Sequence, residues 1–141
     1  KVFQIETEYF EFLRLGAAPF ITTDLGPIVS EFLASHNISS ILFDEVFIHR
    51  ASHVAELEKL GIRIKVLDNG ALKTLDKLSL TNYQSNTYNL KDIRAGMAIL
   101  MGIVQLNIES AVLLNFDQVM RGFGNIQTIL NILGYDGELY G

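Results

Sequence analysis

Asp24, Asp92, Arg50, Arg94 and Arg121 are the residues of this chain whose types and spacing could do chemistry together. They fall in four short segments: Thr22-Thr23-Asp24-Leu25, Val46-Phe47-Ile48-His49-Arg50 with His53 just after, Lys91-Asp92-Ile93-Arg94-Ala95, and Met120-Arg121-Gly122-Phe123. Each segment lies just ahead of a predicted helix, and the set holds three of the chain's five arginines. Free N–H groups and the positive end of a helix favour anions, and guanidinium grips carboxylate or phosphate through two parallel bonds. A carboxylate within reach of a hydroxyl can take its proton. The set reads as a receptor for a small anion with an acid–base group beside it. Plainer readings stand next to this one. Asp before an apolar helix is the ordinary N-cap, which suits both Asp24 and Asp92, and a lone surface arginine is worth about 0–1 kcal/mol. Arginine at a helix start opposes the helix dipole, a cost that a bound anion would offset.

The elements that must position these residues come as two similar halves. In the first, a helix from Asp24 buries Leu25, Ile28, Val29, Phe32 and Leu33 and ends near Asn37. Ile38 to Phe47 follows as a buried strand, then a helix carrying Val54, Leu57 and Leu60 that stops at Gly61. Ile62 to Leu67 is the next strand, and Asp68-Asn69-Gly70 turns it into Ala71 to Leu75. In the second half a helix runs from Asp92 through Leu106, and Ile108 to Phe116 is a strand. Arg121 then precedes a helix with Ile126, Ile129, Leu130 and Leu133, capped at Gly134. Asp24 pairs with Asp92, Asn37 with Asn107, Arg50 with Arg121 and Gly61 with Gly134. Residues 8–16 and 79–87 would supply the opening strands. The pattern is α/β, one domain over 1–141, with repeat units at about 8–76 and 79–141.

Composition narrows the classes. Apolar residues make up 49% and there are only two prolines, so a packed core is expected. The net charge of −5, with acids and bases interspersed, gives no basic stripe and argues against a nucleic-acid partner. Without cysteine there is no disulfide, no thiolate metal site and no cysteine nucleophile in this chain. No apolar run reaches membrane-spanning length. His49 and His53 are four apart but lack a third ligand, so no metal is expected, and both read as surface or loop residues. Phe3, Phe10, Phe12, Phe20, Phe32, Phe43 and Phe47 read as strand and helix core. The chain opens on Lys1 in the middle of an apparent strand, which suggests a piece of something longer.

From Asp24 to Gly134 the chain resembles the enolpyruvyl transferases, and within them the branch that acts on UDP-N-acetylglucosamine. The family's Pro-Thr-Asp is similar to Thr22-Thr23-Asp24, and its Val-Phe-Glu-Asn-Arg with a following His-Val is similar to Val46 to Arg50 with His53-Val54. Its Thr-Asp-Leu-Arg-Ala resembles Lys91 to Ala95, and its Asp-Arg-Gly-Tyr-Glu resembles Met120 to Gly124. The departures are Thr22 for proline, Ile48-His49 for Glu-Asn, Lys91 for threonine and Met120 for the acid before the last arginine.

The resemblance implies an inside-out α/β barrel-type domain of repeated βαβαββ units, helices inside and sheets outside, with about two units present. It implies transfer of the enolpyruvyl group of phosphoenolpyruvate to the 3-hydroxyl of UDP-N-acetylglucosamine in peptidoglycan precursor synthesis, in the cytoplasm, without a cofactor. Asp24 would be the base or proton relay and Arg94 the second catalytic group. Arg50 and Arg94 would bind the carboxylate end of phosphoenolpyruvate and Arg121 its phosphate. Asp92 would be an N-cap beside the substrate, and Val46 would contact the sugar nucleotide through its backbone while remaining a core strand residue. The missing remainder of the enzyme would be the partner, leaving this chain inactive by itself. A fragment similar to 5-enolpyruvylshikimate-3-phosphate synthase, or a non-catalytic divergent α/β module, is the alternative.

Overall fold

The computed structural model describes residues 11–75 and 86–137. The opening-strand expectations at 8–10 and 79–85, and Phe3 and Phe10, lie outside them. Strand β1 (Phe12–Gly16) leads through the two-residue strand β2 (Ile21–Thr22) and a 3₁₀ turn (Thr23–Leu25) into helix α1 (Gly26–Ser35), and the chain returns as β3 (Ser40–Asp44). Helix α2 (Val54–Lys59) and the strands β4 (Ile64–Val66) and β5 (Leu72–Thr74) complete this half. The described part of the second half holds β6 (Thr87–Asn89), α3 (Ile93–Gln105), β7 (Val112–Leu114), α4 (Phe116–Phe123) and α5 (Ile126–Ile132).

The five-stranded sheet has the order β2-β1-β3-β5-β4. Strands β1 and β3 are parallel, with Leu13 opposite Leu42, whereas β5 runs antiparallel to both β3 and β4. The antiparallel pair follows from Asp68-Asn69-Gly70, where Gly70 takes φ +82° and its amide bonds to Leu67. Strands β6 and β7 pair in parallel, Tyr88 opposite Leu113. A helix thus crosses between parallel strands in each half, α1 between β1 and β3, α3 between β6 and β7.

The helix ends are closed alike. Asn37 and Asn107 both adopt positive φ, and the next amide bonds back five residues, Ile38 to Leu33 and Ile108 to Ile103. Gly61 and Gly134 do the same for α2 and α5, through Ile62 to Leu57 and Tyr135 to Leu130. Each is the left-handed residue that ends a helix and satisfies its last carbonyls.

Helices α1 and α3 pack on each other and against the sheets, closing a core that includes Leu15, Leu33, Leu42, Leu57, Leu60, Ile62, Tyr88, Leu90, Ile99 and Ile103. Burying one such aliphatic side chain contributes about 1.5–3 kcal/mol. Small residues permit the close approach of α3 and α4. A Cβ at Gly96 would stand 2.4 Å from Val119 Cγ2, and one at Gly122 2.3 Å from Ile93 Cγ2.

Several expectations are corrected. The strand expected over 108–116 is confined to Val112–Leu114, and Phe116 opens a helix instead. Val46 lies beyond the end of β3 and is 57% exposed, so it is not a core strand residue. Its N–H and that of Phe47 are taken by Asp44 Oδ1 at 2.9 and 2.8 Å, which turns the chain out of the sheet. Phe12, Phe20 and Phe47 are exposed rather than core. His53 is wholly buried, its Nε2 2.9 Å from Ser30 Oγ, because the turn after Arg50 folds it under α1. Ser30 donates to the Pro27 carbonyl, so His53 Nε2–H is the donor to Ser30, and Nδ1 has no partner among the described residues. Glu31 is also buried on α1, and among the described residues neither carboxyl oxygen has a hydrogen-bond partner.

Candidate anion-binding site

Asp24 sits in the 3₁₀ turn between β2 and α1, one residue before Leu25, which precedes the first residue of the helix. No side-chain cap forms at either helix start here, so the N-cap reading of Asp24 does not hold. The carboxylate turns instead to the second half of the molecule. Asp24 Oδ1 accepts from Arg94 Nε at 2.6 Å and lies 3.6 Å from an Arg50 terminal nitrogen. The bond from Arg94 holds the Asp24 carboxyl below its usual pKa, with desolvation opposing and the Arg50 charge assisting. The same bond raises the pKa of Arg94.

Arg50 stands on the loop between β3 and α2, in a turn closed by its own amide to the Phe47 carbonyl at 3.0 Å. Its guanidinium donates to the Thr23 carbonyl at 3.0 Å and lies 3.8 Å above the Phe47 ring. That stack, together with a side chain only 19% exposed, fixes the group in place. Beside it a small hollow of about 10 Å³ is lined by Pro27, Asp44, Phe47, Gly70 and Arg50 itself.

Arg94 is the second residue of α3, whose N-cap is Asp92. Asp92 Oδ1 accepts from the amides of Arg94 and Ala95, each at 2.9 Å, and its backbone carbonyl accepts from Gly96. The N-cap reading of Asp92 therefore holds. The second oxygen, Oδ2, accepts from Ser52 Oγ at 2.9 Å and so ties the Arg50 loop to the start of α3. Burial pushes the Asp92 pKa up, but the Ala95 amide, the Ser52 hydroxyl, the Arg94 amide and the Arg50 charge outweigh it, and the net shift is downward. With the Arg94, Ala95 and Gly96 amides taken by Asp92, the group the start of α3 could offer an anion is the Arg94 guanidinium.

Arg121 is placed differently from the expectation. It lies in the last turn of α4 rather than at a helix start, five residues before Ile126. Its neighbour Gly122 abuts Ile93, the first residue of α3, which brings Arg121 to the same end of the molecule as Arg94. Among the described residues it has no ion pair. Of the remaining arginines, Arg14 is engaged by Glu45 and stacks over Phe20. Sequence reasoning missed Ser52 and the stack of Phe47 under Arg50. No local signal marks the serine, whereas the aromatic three positions before Arg50 was visible.

Among the described residues no group of three or more His, Cys, Asp or Glu could hold a metal ion, and no helix is long and apolar enough to cross a membrane. The arrangement sets two guanidinium groups around the Asp24 carboxylate, and preformed positive charge of this kind is what can stabilise a developing anion.

No protein-family model matches the chain. Among curated proteins, the UDP-N-acetylglucosamine 1-carboxyvinyltransferase of Coprothermobacter proteolyticus is 33% identical over 123 residues, covering 86% of this chain and 27% of that protein. The protein of the same name from Pseudothermotoga lettingae is 33% identical over 115 residues, covering 81% and 26%. That of Thermotoga maritima is 30% identical over 118 residues, covering 82% and 26%. The chain spans about a quarter of the length of the curated relatives it matches.

Proposed function

We propose, for a chain that is a partial and divergent relative of the enolpyruvyl transferases, that it supplies half of a site for moving the enolpyruvyl group of phosphoenolpyruvate to the 3-hydroxyl of UDP-N-acetylglucosamine. The observation that carries this is the meeting of Asp24, Arg50 and Arg94 from separate segments at one end of the molecule. The names of the relatives support the choice of substrates, and the match of the four segments supports the choice of residues.

In this reading Arg50 and Arg94 hold the carboxylate of phosphoenolpyruvate, and Arg121 reaches its phosphate. Guanidinium suits both groups because its planar fork matches their oxygens. The 3-hydroxyl oxygen adds to C2 while C3 gains a proton. Phosphate then leaves as C3 loses a proton, which restores the double bond. Asp24 takes the hydroxyl proton. Asp92 holds Arg94 in place through the helix cap, and Val46 borders the sugar nucleotide through its backbone. The two halves, about 8–76 and 79–141, are two units of one repeat; the matching crossovers and helix ends support that division. The remaining wall of the site comes from elsewhere in the enzyme, which suits the exposed side chains of Asp24 and Arg94. Such an enzyme would act in peptidoglycan precursor synthesis in the cytoplasm.

The test is phosphate release from the 141-residue chain given both substrates. No release above background is expected, because catalytic groups that act as a unit lose nearly all activity when one set is missing. Turnover by the chain alone would overturn the half-site reading.

A further inference from the structure

The Asp24 carboxylate occupies the place between two guanidinium groups that a bound carboxylate would need. One oxygen serves both, at 2.6 Å from Arg94 Nε and 3.6 Å from Arg50. The two arginines are held very differently. Arg50 has the Thr23 carbonyl and the Phe47 ring as further anchors, whereas the Arg94 side chain has no other hydrogen bond or ion pair among the described residues. Asp24 itself is 52% exposed and caps no helix, and among the described residues its carboxylate is bonded by the two arginines alone.

We propose that Asp24 is the resident counter-ion of the arginine pair, which the carboxylate of an incoming anionic substrate displaces from Arg94, freeing Asp24 to accept a proton only once the anion is seated. The inference rests on the function proposed above and adds an order to it: anion first, acid–base group second. An aspartate bonded to guanidinium is a weak base, and the downward shift of the Asp24 pKa has that bond as its main cause. Moving Arg94 onto the substrate removes the cause. Arg50, fixed by its ring stack and carbonyl, would stay and receive the anion's second oxygen.

A static role makes the opposite prediction. If Asp24 only held Arg94 in its aim, neutralising it would loosen the site and weaken anion binding. If it competes with the anion, neutralising it removes a like charge about 4 Å away. Such a charge lowers affinity about fivefold at the dielectric of water and further near a protein surface. Titrating the chain with phosphoenolpyruvate by calorimetry, for wild type, Asp24→Asn and Asp24→Ser, separates the two. Both variants are expected to bind at least fivefold more tightly than wild type. The first is isosteric at a half-exposed site, and the second guards against a peculiarity of the amide. Equal or weaker binding by both variants overturns the displacement and leaves the arginine site standing. Absence of saturable binding by wild type and variants alike overturns the proposed function along with it.

Discussion

Ser52 Oγ donates to Asp92 Oδ2 at 2.9 Å, and this one bond joins the loop that carries Arg50 to the helix start that carries Arg94. The other oxygen of the same carboxylate is spent on the first turn of α3. Asp92→Ala removes both functions and should destabilise the chain by about 1–2 kcal/mol, the cost of a lost N-cap. Asp92→Asn keeps an oxygen for the cap and should lose only a few tenths of a kcal/mol by the same comparison, roughly. Denaturant unfolding of the two variants checks this, and equal losses would contradict the capping account.

The buried pair Glu31 and His53 should shape stability against pH. Burial pushes the Glu31 pKa from 4.5 up to about 8 and brings that of His53 from 6.5 down to about 4. Between 4.5 and about 8 the folded chain keeps the Glu31 proton that the unfolded chain has lost, so stability falls as pH rises. Between about 4 and 6.5 the unfolded chain carries a proton on His53 that the folded chain lacks, so stability rises with pH. The two slopes, each at most about 1.4 kcal/mol per pH unit, oppose one another where the windows overlap. Melting temperatures should be nearly flat between about pH 5 and 6.5 and decline toward pH 8. Glu31→Gln should abolish the decline and uncover the rise below 6.5. A decline that survives the substitution would show that Glu31 is not its source.

Gly96→Ala should destabilise although alanine is the better helix former by roughly 1 kcal/mol. The new methyl would meet Val119 Cγ2 at 2.4 Å and Leu90 Cβ at 3.2 Å between packed elements. Overpacking of this kind costs about 1–3 kcal/mol, and thermal or denaturant melts would reveal it. A more stable variant would mean that α4 can shift away from α3.

Much of this was legible in the sequence, for local reasons. Asn37, Gly61, Asn107 and Gly134 mark helix ends because left-handed backbone favours these residue types, and the Asp68-Asn69-Gly70 turn fixes an antiparallel pair. Asp92 carries its N-cap signature openly. What stayed hidden depends on contacts distant in sequence. Asp24 has the same cap signature, yet Arg94, 70 residues away, takes its carboxylate and the helix starts two residues later. His53 looks like a loop residue until Ser30 is placed against it. Asp44 ends β3 early and exposes Val46, although the apolar run continues through Phe47 and Ile48. Arg121 was placed at a helix start because the short strand β7 leaves room for an extra helix that the apolar pattern did not announce.

The most direct test of the central claim is a calorimetric titration of the chain with phosphoenolpyruvate, wild type against Arg94→Ala and Arg94→Lys, with a thermal melt of each. The site reading predicts saturable binding by wild type, about tenfold or greater weakening in Arg94→Ala as a charge-assisted bond is lost, and partial recovery in Arg94→Lys, which restores charge without the planar fork. The melts should agree closely, because an exposed ion pair adds little stability. Wild-type and Arg94→Ala chains that bind phosphoenolpyruvate equally, or not at all, would contradict the account and return the arginines to the role of surface charges.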